Sequence, residues 1–233
     1  MKTYETEHYL FHYNEGTKAE ADILQIAAGQ EACFRYICKV LETAPGFKIK
    51  YFLCDSPVEV GQIYGDEEPC NGFAVMPDRI YAVYNEQVQC VGFHEDAHLI
   101  SYTINRPNCP AIREGLAMYF DRKWWGISNL EWTGYYLRNK GRFSIESWLD
   151  RENFFEEDCS VTYPIMGAFT DYLIATYGIK AYMDFYSRRN MVLAMEEVYG
   201  KKPAELDREF AEYVKLFRLD AEVEERMRNL LNV

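Results

Sequence analysis

His94-Glu95-Asp96-Ala97-His98 lies within residues 87–105, where the spacing of apolar side chains predicts a helix. Side chains four residues apart share one helix face, with Cβ atoms about 5–6 Å apart. Two imidazoles at that separation can reach one zinc ion at about 2.0–2.1 Å. Glu95 follows the first histidine and points toward the neighbouring face, where its carboxylate can hold a water and act as general base. An aspartate there would be one methylene short. The chain has only four histidines, and two of them fall in this segment.

A catalytic zinc takes three protein ligands and keeps one position open. His8 and His12 belong to the first strand region and read as strand side chains, so a carboxylate on a nearby helix is the expected third ligand. The segment Ile112-Arg113-Glu114-Gly115-Leu116-Ala117-Met118-Tyr119-Phe120 supplies Glu114, sixteen residues after His98. Pro107 and Pro110 break the chain between the two helices, and an antiparallel return would carry Glu114 back toward the histidines. Gly115 costs a helix interior about 1 kcal/mol relative to alanine. A close approach by another backbone, or by the metal helix, would account for it. Arg113 reads as a helix-surface ion pair or a carboxylate binder.

Upstream of the motif, Tyr9-Leu10-Phe11-His12-Tyr13 reads as a strand, and Thr17 caps a long helix running to about Glu42. Residues 48–54 alternate as a strand, and Ser56-Pro57 starts a helix. Residues 61–72 read as loop, and 73–76 and 79–84 as two short strands. Downstream, residues 111–125, 129–139, 161–177, 181–189, 192–199 and 203–217 read as helices, followed by an amphipathic terminal piece. Strands and helices are therefore segregated, an α+β layout. The chain reads as one domain over 1–233 with two subdomains. The first, 1–105, is mixed α/β with a small twisted sheet and the active-site helix; the second, 106–233, is mostly α-helical. The cleft between them is the expected site.

Composition narrows the function classes. The formal net charge is −12, with no basic cluster to offset it, so nucleic-acid binding is not expected. No stretch approaches the 18 apolar residues of a membrane span. The seven cysteines are odd in number and lack CxxC spacing, which reads as reduced core residues and a cytoplasmic compartment. Nineteen tyrosines and four tryptophans suit either packing or an aromatic substrate wall. The stripe Val223, Met227, Leu230 and Leu231 would pack on the body or pair with a second chain as a homodimer.

His94-Glu95-x-x-His98 followed by Arg113-Glu114-Gly115-Leu116-Ala117 resembles the gluzincin peptidases of the MA clan, whose second helix carries a Glu-Gly-(Leu/Phe)-Ala segment. The resemblance implies a zincin-like fold and one zinc per chain. It makes His94, His98 and Glu114 the metal ligands and Glu95 the base, and it makes strand 79–84 the sheet edge that pairs with an extended peptide. The stretch from Tyr163-Pro164 to Tyr177-Gly178 is similar to the helical C-terminal part of small members. The clan often places an oxyanion-stabilising tyrosine or histidine downstream. Tyr163 is the candidate, because Pro164 fixes the chain just after it and a helix follows; packing is its other reading. Two departures stand out. Where thermolysin-like members carry an aspartate four residues after the third ligand, this chain has Met118; Asp121 is the substitute candidate for orienting a ligand histidine. Gly72-Phe73-Ala74-Val75-Met76 does not reproduce the aminopeptidase Gly-x-Met-x-Asn loop.

The expected function is a zinc-dependent metallohydrolase, a peptidase acting on peptide or protein substrates through a zinc-bound water with Glu95 as general base. The alternative is a catalytically inactive zincin-like protein used as a protein-binding module.

Overall fold

Alternating burial along Tyr9–Tyr13 and Ile49–Cys54 turns one side of each strand into core. The computed structural model describes residues 1–65, 68–141 and 143–232. The class is α+β, and the chain divides into two compact units, Met1–Ile104 and Asn105–Val233.

The first unit runs β1 (Lys2–Glu5), β2 (Tyr9–Tyr13), α1 (Lys18–Leu41), β3 (Ile49–Cys54), α2 (Pro57–Tyr64), β4 (Gly72–Val75), β5 (Arg79–Val83) and α3 (His94–Ser101). The strands form one mixed sheet in the order β1-β2-β3-β5-β4. The centre is parallel, with Phe11 opposite Tyr51 and Tyr51 opposite Ile80, and both edges are antiparallel. Strand β1 was not expected; Lys2-Thr3-Tyr4-Glu5 is polar and mostly exposed, as an edge strand tolerates. Tyr9, Phe11, Ile49, Tyr51, Ile80 and Ala82 are at most 1% exposed and form the inner face. Each such large apolar side chain contributes about 1.5–3 kcal/mol on burial.

Helix α1 packs on that face through Ile23, Ile26, Phe34 and Ile37, with Thr17 accepting from the Glu20 N–H as its cap. Ser56 caps α2 in the same way, accepting from Glu59. Helix α2 fills the first part of the expected 61–72 loop, of which residues 66 and 67 lie outside the described residues.

Two expectations need correction here. Strand β5 is interior, held by β3 on one side and β4 on the other, so the free edge beside it is Gly72–Val75 and not residues 79–84. The motif helix is also far shorter than residues 87–105. The Asn85 side chain accepts from the Gln87 and Val88 N–H groups, Cys90 N–H pairs with the Val83 carbonyl, and Gly92 adopts φ +142°. This turn chemistry holds residues 85–93 out of the helix, which opens at His94 itself.

The second unit runs α4 (Pro110–Asp121), β6 (Lys123–Trp124), β7 (Ile127–Ser128), α5 (Asn129–Lys140), α6 (Ile145–Trp148), α7 (Arg151–Glu156), α8 (Cys159–Tyr177), α9 (Ile179–Tyr186), α10 (Met191–Tyr199), α11 (Pro203–Lys215) and α12 (Ala221–Leu231). Helix α4 stops earlier than expected because Arg122 takes a left-handed conformation and feeds a two-stranded ribbon. The core is α8, hydrophobic on nearly every side, packed on α4 and α5. Helix α12 docks on this unit through Met227, the Arg138–Glu224 ion pair at 2.8 Å, and Arg226 donating to the Trp125 carbonyl. Among the described residues, no helix is long and apolar enough to cross a membrane.

Candidate metal centre

Helix α3 is eight residues long and divides its faces sharply. Asp96, Leu99 and Ile100 recur at core spacing and are fully buried, while His94 and Glu95 stay half-buried on the other side. His98 is 7% exposed. The His94 and His98 ring centroids are 5.0 Å apart and the planes nearly perpendicular, at 86°. The Tyr102 hydroxyl sits 3.4 Å from His98 Nδ1, one turn further on, and its ring stacks on the imidazole. A tautomer with its proton on Nδ1, shared with that hydroxyl, would present Nε2 as the nitrogen for a metal.

Glu114 sits half-buried on α4, followed by Gly115. A Cβ on Gly115 would lie 2.8 Å from Thr170 Oγ1 and 3.0 Å from the Met166 carbonyl, so the close neighbour is α8. Gly167 answers from α8: its Cβ would fall 2.6 Å from Met118 Cβ. The two glycines let the α4 and α8 backbones approach, which fixes the helix that carries Glu114.

His94, His98 and Glu114 each offer one ligand atom, and these atoms all lie within 4.8 Å of one another. A tetrahedral zinc with bonds of about 2.0–2.2 Å needs ligand atoms about 3.3–3.5 Å apart. Two imidazoles and a carboxylate are a donor set that zinc takes, so the residues fit such an ion by their chemistry. Glu7, His8 and Glu31 also cluster, but the Arg35 guanidinium already meets Glu7 at 3.0 Å and Glu31 at 3.1 Å, and His8 Nδ1 bonds Glu31 at 2.7 Å. That group is an internally satisfied ion-pair network. His12 stacks on Phe52 as a strand side chain.

Tyr163 lies inside α8, between the rings of Trp124 and Phe154, with centroids 5.7 and 6.0 Å away. The helix expected over 161–177 begins two residues earlier. Asp158 accepts from the Ser160 N–H and starts α8 at Cys159, which leaves Pro164 within the helix. Asp121 ends α4, half-buried. A cavity of about 650 Å³ opens in the second unit, lined by Phe143, Trp148, Ile165, Asp207 and Arg208 among others; no motif residue lines it. Among the described residues no cysteine is in a disulfide; Cys33, Cys54 and Cys109 are buried and Cys159 is exposed.

Sequence reasoning missed Asp96. It is fully buried on the face of α3 opposite the histidines and meets Tyr9 and Gln30. Burial pushes its carboxyl well above the ordinary range, against the hydrogen bonds from Tyr9 and Gln30. The signal was present: Asp96, Leu99 and Ile100 are one core stripe with an acid in it. The Cys70 thiol is raised by burial and, beyond that, by the charge of Glu95.

No protein-family model matches this chain, and neither does any curated protein.

Proposed function

We propose that this protein is a zinc-dependent metallohydrolase, of the kind that cleaves peptide bonds in peptide or protein substrates, similar to the gluzincins. The observation that carries this reading is the convergence of His94, His98 and Glu114. One zinc ion bound there would polarise the scissile carbonyl and acidify a water. Glu95, adjacent to the first ligand and half-buried, is the base: its carboxylate takes the proton from the attacking water and hands it to the leaving amine. The free edge of β4, which packs beside α3, is the strand against which an extended substrate backbone would hydrogen-bond. Tyr163 remains the proposed donor to the developing oxyanion. A cytoplasmic setting accords with seven cysteines outside any disulfide among the described residues.

The test is metal content by mass spectrometry of protein purified without chelator, beside the His98→Ala variant. One zinc per chain, lost in the variant, is the expected result; a peptide-library screen then compares the wild type with Glu95→Gln. Zinc-loaded wild type that cleaves nothing in a broad library would turn the reading to a binding module built on the same fold.

A further inference from the structure

Helix α3 opens at its first proposed ligand without a side-chain cap: Phe93 holds the N-cap position and makes no capping hydrogen bond. The acid in its first turn, Asp96, faces the core instead of its own N–H groups and is fully buried. Asp96 Oδ2 is met by the Tyr9 hydroxyl and by Gln30 Nε2, the latter at 3.0 Å. Gln30 Nε2 also donates to the Gly92 carbonyl at 3.0 Å, immediately before the helix, and the Tyr9 hydroxyl reaches the Gln30 carbonyl at 3.0 Å. A strand residue and a residue of α1 thus grip both the entry to α3 and its third residue.

Stability does not explain this arrangement. Among the described residues, Asp96 Oδ1 is buried with no hydrogen-bond partner. An apolar side chain of similar size would remove that orphan, while Tyr9 would keep the Gln30 carbonyl and Gln30 would keep Gly92. Buried polar contacts of this kind fix geometry at a cost in stability. The geometry fixed here is the rotation and axial position of a two-turn helix whose other face carries His94 and His98, and an ion with short, directional bonds is sensitive to both.

We infer that Asp96, held by Tyr9 and Gln30, is a positioning residue that sets the register in which α3 presents His94 and His98 to the metal. This rests on the metal-site reading above. Asp96 itself has no ligand role, because it lies on the opposite face.

The experiment measures zinc dissociation constants by chelator competition at 20 °C, and visible spectra of the cobalt-loaded forms, for wild type, Asp96→Leu, Asp96→Asn, Tyr9→Phe, Gln30→Met and His98→Ala. Thermal melts of the metal-free proteins run alongside. Asp96→Leu is expected to melt no lower than wild type, to bind zinc about 10–100-fold more weakly, and to shift the cobalt bands. Asp96→Asn, which keeps an oxygen for Gln30, should restore most of the affinity. If Asp96→Leu fails to fold, Tyr9→Phe and Gln30→Met decide the matter by the same weakening. Wild-type affinity in these variants while His98→Ala loses zinc would overturn the positioning role and leave the metal site standing. A wild type that binds zinc no better than His98→Ala would overturn both.

Discussion

The place where Gly115 would carry a Cβ lies 2.8 Å from the Thr170 hydroxyl across the α4–α8 contact. Helix propensity alone favours alanine over glycine by about 1 kcal/mol, but here steric crowding wins, because the next neighbour is the Met166 backbone carbonyl at 3.0 Å. Gly115→Ala should destabilise the protein by about 1–3 kcal/mol, the usual cost of overpacking. Denaturant midpoints of wild type and variant measure it; an unchanged or raised midpoint would show that the α4–α8 contact is looser than described.

Removing the proposed ligand and the proposed base should separate binding from chemistry. Glu114→Gln keeps the helix but loses the anionic donor, and should weaken zinc binding by more than the about 10–100-fold typical of an outer-shell partner. Glu95→Gln should retain one zinc and lose turnover by about 10²–10⁴-fold. Metal content and single-turnover cleavage assayed on the same preparations distinguish the two, and a Glu95→Gln protein that remains active would exclude Glu95 as the base.

Asp207 gives the second unit a pH dependence. Burial pushes its carboxyl up to about 6 from an ordinary 3.8, against the hydrogen bonds it accepts from the Ile145 and Glu146 N–H groups. The folded state therefore holds this proton more tightly than the unfolded chain does. Its contribution favours folding fully below about pH 4 and is lost as pH rises through about 6. Asp207→Asn carries no such term, so the stability of wild type relative to the variant should fall between pH 4 and pH 7. Urea midpoints of both proteins at the two pH values test the sign, and a wild type that gains on the variant over this range would contradict it.

Ser128 and Glu131 form a reciprocal capping box at the start of α5, Ser128 accepting from the Glu131 N–H at 3.2 Å and Glu131 from the Ser128 N–H at 3.1 Å. Ser128→Ala should cost about 1 kcal/mol, and Ser128→Asp should recover most of it. Equal denaturation midpoints for all three would mean that tertiary packing alone holds this helix end.

The α+β class and the long capped helix were legible in the sequence because they follow from periodicity and capping, which are local. Thr17 and the Ile23–Leu41 stripe specify α1 almost residue by residue. The opening of α3 was not legible. It depends on the Asn85 side chain and the Cys90–Val83 pairing, and the second of these exists only once β5 has joined the sheet. The interior position of β5 was hidden for the same reason, since strand order is a tertiary property that Arg79–Val83 does not announce. At the candidate site, the spacing of His94 and His98 and an antiparallel return across the Pro107–Pro110 break were the local signals that pointed to Glu114 as their companion. The grip on the opposite face was not legible, because its hydrogen bonds come from Tyr9 and Gln30, which only the folded sheet and α1 bring to Asp96.

The contact between Asp96 and Tyr9 joins residues 87 positions apart, and Gln30 is 66 positions from Asp96. A growing chain emerges at about 5–20 residues per second. Tyr9 and Gln30 therefore leave the ribosome seconds before the helix they hold. Until that segment follows, Gln30 Nε2 lacks both of its partners, the Gly92 carbonyl and Asp96, and must remain bound to water. The helix that carries the histidines is thus the last element of the first unit to be made, so truncating its buried apolar residues Leu99 or Ile100 would show itself as lowered yield.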